Sequence, residues 1–190
     1  LFLVQPIIAK QILPWFGGSA AVWTTCMVFF QLVLLAGYAY SDGVVRKLAP
    51  RAQAMLHTVL VVVSLVSLPI IASDALKPLP DTEPTTRILL LLAMTVGLPY
   101  FLLSTTGPLV QAWFARIYPS AKVYRLFALS NFASLVSLLA YPPLIEPNVN
   151  LRVQSWVWSA IYGVFAILVV GAAWAAARAH APLQTAAEQK

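Results

Sequence analysis

Five stretches of this chain run for 20 residues or more without a single Asp, Glu, Lys or Arg. They lie between Lys10 and Asp42 (31 residues), Arg51 and Asp74 (22), Arg87 and Arg116 (28), Arg125 and Glu146 (20), and Arg152 and Arg178 (25). About 20 apolar residues in an α-helix cross a hydrocarbon core roughly 30 Å thick, so each gap is long enough for one pass. Composition closes off the alternative. Charged residues are 9 % of the chain and hydrophobic ones 61 %, whereas a soluble domain carries about 25 % charged residues. Twelve basic and six acidic side chains cannot coat a water-soluble fold of 190 residues, and the surplus apolar surface must face lipid. The chain is therefore expected to be an all-α integral membrane protein.

Six transmembrane helices are expected. The first, incomplete, covers Leu1 to Pro14; the others cover Ala20 to Tyr40, Ala52 to Ala72, Arg87 to Phe114, Leu126 to Ile145 and Val153 to Ala177. Helix-breaking residues punctuate them: Pro14 and Gly17-Gly18, Pro50, Lys77-Pro78-Leu79-Pro80, and Pro142-Pro143 with Pro147. Residues 1–179 thus form one transmembrane domain, and residues 180–190 a flexible polar cytoplasmic tail. The opening run LVQPIIAKQILPWFGG lacks the basic start of a signal peptide, since its lysine follows the apolar part. With Leu1 in place of an initiator methionine, the first helix is expected to be truncated at its N-terminus.

Basic residues set the direction. Arg46, Lys47 and Arg51 flank the second turn, Arg116, Lys122 and Arg125 the fourth, and Arg178 follows the last span. The alternate turns offset their bases with Asp74, Asp81, Glu83 and Glu146. Under the positive-inside rule both termini and the two basic loops are cytoplasmic. This asymmetry accounts for the net charge of +6 and implies no nucleic acid partner. The single Cys26 excludes an internal disulfide and reads as a small hydrophobe.

Within the spans, small and polar residues recur at helical spacing. Gly97, Tyr100, Ser104, Gly107, Pro108 and Gln111 mark the fourth span, and Phe127, Ser130, Asn131, Ser134, Ser137 and Tyr141 the fifth. The second carries Thr24, Gln31 and Tyr38, the third His57 and Ser64, and the sixth Ser155, Ser159, Tyr162, Gly163 and Ala166. Such stripes serve as packing seams in lipid, where helices associate through close contact and hydrogen bonds. They also allow a cavity for a polar solute, lined by Gln5 and Lys10 of the first span with Gln111 and Asn131. Gln5 and Lys10 lie about 140° apart around an ideal helix, so they form no single clean face. Lys10 and His57 each sit near a span end, where a lone ionisable group reaches the headgroups; His57 is expected to be interfacial.

Three segments carry a resemblance: LVQPIIAKQILPWFGGSAAVWTTCMVFFQLVLLAGYAYSD, GLPYFLLSTTGPLVQAWFAR and YRLFALSNFASLVSLLAYPPLIEP. They resemble the membrane portion of bacterial spermidine-synthase-like proteins, over about Leu3 to Ser159, with PWFGGS and STTGP the most specific parts. The resemblance implies a six-helix unit similar to half of a major facilitator bundle, joined in the family to an aminopropyltransferase-like domain. That catalytic domain needs a glycine-rich cosubstrate turn and clustered carboxylates. This chain has six scattered acids and no such turn, so no catalytic residue, metal ligand or cofactor is expected. Three functions remain open: a non-catalytic anchor or interaction module, a half-transporter for a small polar solute, and an accessory subunit of a larger membrane complex. Besides the bilayer, the expected partner is another membrane protein, a second half-bundle or a further copy of the chain.

Overall fold

The computed structural model describes residues 1–78, 83–118 and 124–188. Among them every regular element is helical. The order is α1 (Val4–Phe16), α2 (Ala20–Lys47), α3 (Pro50–Ser64) with a 3₁₀ turn Leu65–Ser67, α4 (Pro84–Leu92), α5 (Leu98–Ile117), α6 (Tyr124–Ala140) and α7 (Leu151–Glu188). Five rods are long and apolar enough to cross a membrane: Ala20–Lys47, Pro50–Ser67, Pro84–Ile117, Arg125–Ile145 and Leu151–Ala179. The chain is an all-α, multi-pass membrane protein, and each charge-free run of the sequence coincides with one rod.

The remaining expected span, the incomplete first one, is helix α1. Its 13 residues make about 20 Å at 1.5 Å per residue, shorter than the five rods. Its end is built locally. Gly17 has φ +79°, and its amide donates to the Leu13 carbonyl at 2.8 Å; glycine enters that backbone region without the clash a Cβ would bring. Ser19 then caps α2, its hydroxyl accepting from the Val22 amide. At the other terminus, the helical backbone of α7 continues to Glu188, where the sequence reading stops the span at Ala177. The added stretch is rich in alanine, the strongest helix former. Lys122 and Asp81, which entered the charge argument, lie outside the described residues.

Prolines shape the rods. Pro99 lacks an amide hydrogen and its ring opposes the carbonyl four residues back. The chain responds with a π turn at Ala93–Gly97 that joins α4 to α5 without a break. A second π turn, Tyr141–Ile145, accommodates Pro142 and Pro143 at the end of α6 and closes with the Glu146 amide donating to the Tyr141 carbonyl at 2.9 Å.

Two apolar cores stack along the bundle. One gathers Ile8 and Ile12 of α1, Phe30 of α2, Leu92 of α4, Tyr100 of α5 and Tyr162 of α7. The other gathers Val44, Ala54, Val61, Leu109, Trp113 and Val169 near the α2–α3 turn. The main seam is α2 against α5. A Cβ on Gly37 would lie 2.9 Å from the Ser104 Cβ and 1.8 Å from its Oγ. Beside it, buried Ser41 reaches the Gly37 carbonyl at 2.8 Å and the Thr105 carbonyl across the seam at 3.2 Å. This is the small-residue approach that replaces the hydrophobic drive between helices in lipid.

Candidate functional site

Helix α1 brings three long polar side chains into the bundle. Gln5 donates from Nε2 to the Tyr100 hydroxyl at 3.0 Å. Gln11 works as a clamp. Its Nε2 donates to the Ile70 carbonyl (3.0 Å) and the Ser155 hydroxyl (2.9 Å), and its Oε1 accepts from the Ala72 amide (2.8 Å). The Ile70 amide in turn donates to the Ser159 hydroxyl at 3.2 Å. The α3–α4 connection is irregular here, and its buried backbone groups need partners from side chains. Gln11→Leu should therefore lower the thermal midpoint and speed hydrogen exchange at the Ala72 amide. Each buried backbone group left unpaired costs about 1–3 kcal/mol. An unchanged exchange rate at Ala72 would show that the clamp carries no stability.

Lys10 makes an ion pair with Glu146, just past the π turn of α6, and its ammonium lies 6.0 Å from the Tyr141 ring centroid. Tyr141 is fixed in turn by donating its hydroxyl proton to Gln154 Oε1 at 3.0 Å. So the lysine in the apolar opening run is held by a carboxylate from the α6–α7 turn. Below this pair an open, mainly apolar groove of about 260 Å³ separates α1 and α2 from α6. Its walls include Gln5 and Ala9, Trp23 and Met27, and Leu138 and Tyr141.

Of the four residues proposed to line a cavity, Gln5 lines this groove and Lys10 stands beside the Tyr141 ring that closes one end. Gln111 is half-buried on α5 and Asn131 exposed on α6; neither lines the groove. The sequence reading passed over Glu146 as a partner for Lys10, and over Gln11 and Gln154 as clamps. The missed signal was that each lies on the same end of the bundle as an irregular turn with backbone groups to satisfy.

A second polar cluster ties α2, α3 and α5 together at the opposite end. Gln53 is buried, donating to the Leu48 carbonyl at 2.7 Å and accepting at Oε1 from Trp113 Nε1 (3.0 Å) and Arg116 (3.2 Å). Arg116 also donates to the Val45 carbonyl at 3.0 Å, where the C-terminal end of α2 favours a cation.

His57 corrects the expectation of an interfacial residue. It is fully buried, in line with Gln53, Ala54, Val61 and Ser64 on the inward stripe of α3. Its ring centroid lies 6.3 Å from Tyr40 and 6.0 Å from Trp113. Neither its nitrogens nor the Tyr40 hydroxyl has a hydrogen-bond partner among the described residues. Four-residue spacing from Gln53 points it into the core, so it cannot reach headgroups. A buried polar group without a partner opposes folding, and His57→Leu should leave the thermal midpoint unchanged or raise it. A fall of several degrees would show that a polar contact holds the imidazole.

These groups bind and brace one another. Among the described residues, no three His, Cys, Asp or Glu side chains gather closely enough to hold a metal ion. No family model, curated protein or solved structure matches the chain. Fold and site together define a multi-pass, all-helical membrane protein whose interior polar groups are largely engaged with one another.

Proposed function

We propose that the chain is a non-catalytic membrane module of the spermidine-synthase-like kind, serving as an anchor or interaction domain for another membrane protein. The observation that carries this reading is the state of α6. Only 6 % of its apolar stretch is buried, against 28 % to 56 % for the other four rods. Leu129, Phe132, Leu135 and Leu139 all project from it, together with the Ser130 and Asn131 positions of its polar stripe. The half-bundle reading of the sequence accords with this, since half of a major facilitator unit leaves one flank for another six-helix body. The basic turns at Arg46 to Arg51 and at Arg116 favour both termini inside, and the resemblance to bacterial proteins favours a bacterial cytoplasmic membrane.

Extraction from native membranes into polymer-bounded discs, without detergent, tests the reading. A second polypeptide present at fixed stoichiometry through repeated purification is the expected result. A disc population holding this chain alone, with lipid, would contradict it.

A further inference from the structure

Helical spacing extends the groove beyond its apolar walls. Trp23 and Met27 line it from α2, and Gln31 lies one turn further along the same stripe. Leu138 and Tyr141 line it from α6; Ser134 and Asn131 precede Leu138 by one and two turns on that face. Gln31 and Asn131 are both exposed, and neither amide forms a hydrogen bond among the described residues. Gln31 is the twelfth of 28 residues in α2, and Asn131 is the seventh of the 21 in its span. Both therefore sit well inside the hydrocarbon layer, where an unpaired amide costs roughly 4–8 kcal/mol relative to water on an alkane scale.

We propose that the cleft between α2 and α6 seats a single transmembrane helix of a partner protein. That helix presents small residues to the groove beside Met27 and Leu138, and a Ser, Thr, Asn or Gln side chain to Gln31 and Asn131. The two amides decide against a lipid chain as the occupant, because hydrocarbon has no group to pair with them, whereas interhelical hydrogen bonds satisfy such groups. Met27 is 63 % and Leu138 41 % exposed, so the cleft is open sideways to the bilayer. Tyr141, with the Lys10–Glu146 pair beside it, closes the end nearest the α6–α7 turn. This inference rests on the proposed role as an interaction module and adds the place and chemistry of contact.

Photo-crosslinking in native membranes separates the two claims. A benzophenone side chain is placed at Met27 or Leu138 inside the cleft, and at Val66 or Ile167, which are 86 % and 75 % exposed in the 3₁₀ turn after α3 and on α7. The expected result is a polypeptide adduct from Met27 and Leu138, mapping to an apolar segment of about 20 residues, and none from Val66 or Ile167. Gln31→Leu and Asn131→Leu should each lower the adduct yield about threefold, the effect of one interhelical hydrogen bond in a bilayer, with Asn131→Gln restoring it. Polypeptide adducts only from Val66 or Ile167 would overturn the cleft assignment and leave the interaction role intact. Lipid adducts alone at all four positions would overturn both. Full yield from Met27 and Leu138 after both leucine substitutions would remove the amides from recognition and with them the proposal.

Discussion

Gly37→Val is expected to break the α2–α5 seam. The first added carbon would meet the Ser104 side chain at 1.8 and 2.9 Å and approach the Phe101 carbonyl at 3.3 Å, and the branch adds two further methyl groups. Rotating the serine hydroxyl relieves the first contact but not the second, because Cβ cannot move without the helix. Overpacking of a tight contact costs about 1–3 kcal/mol even for small insertions, and here it separates the two helices with the most extensive packing in the fold. Loss of the Ser41 hydrogen bond to Thr105 follows as the helices part. Cys26 is the single thiol and is buried, so a thiol-reactive dye reports unfolding directly. The variant should label at a temperature well below wild type. Ser104→Gly, which removes both of the nearest atoms, should restore much of the loss in the double variant. An unchanged labelling midpoint for Gly37→Val would show that the helices are not in contact there.

Gln53→Leu should be at least as damaging, for the opposite reason. It adds no bulk but leaves the Trp113 indole N–H and the Leu48 carbonyl unpaired and takes one acceptor from Arg116. Each unsatisfied buried group costs about 1–3 kcal/mol, and more where a charge is involved. Gln53→Glu keeps an acceptor for Trp113 and Arg116 but loses the donor to Leu48, so its midpoint should fall between wild type and the leucine variant. The contrast with His57 is informative: the two residues sit one turn apart on the same buried stripe, one hydrogen-bonded through both amide atoms and the other through neither ring nitrogen. Leucine should destabilise at position 53 and not at position 57. Equal effects at both would mean that burial alone, and not hydrogen bonding, sets the cost.

The spans were legible because hydrocarbon tolerates so little charge: Arg51, Arg87, Arg125 and Arg152 fence the rods wherever the sequence places them. Facing directions were legible only where packing used the polar residues themselves. Ser155, Ser159 and Tyr162 of α7, and Tyr100 and Ser104 of α5, point inward as their spacing suggests. Thr24, Gln31 and Tyr38 of α2 do not; all three are exposed, while the inward face is made by Val22, Cys26, Phe29, Phe30, Gly37 and Ser41. The reason is physical. In lipid an inward face is chosen by how closely two backbones can approach, and Gly37 and Ser41 offer that approach while a Gln or Tyr does not. Lys10 was ambiguous because its partner is 136 residues away in Glu146, a pairing no local pattern encodes. The clamps of Gln11 and Gln53 were equally hidden, since they answer backbone groups freed by turns whose shape depends on the fold.

The alternation of the chain across the bilayer is the premise on which packing, groove and partner all depend. Single cysteines at Leu48 in the α2–α3 turn, Asn148 in the α6–α7 turn and Ala179 at the end of the last span, with Cys26 changed to Ser, read it directly through a membrane-impermeant maleimide on sealed vesicles of known orientation. The account predicts that positions 48 and 179 label from one side and position 148 from the other. Labelling of all three from the same side would contradict it.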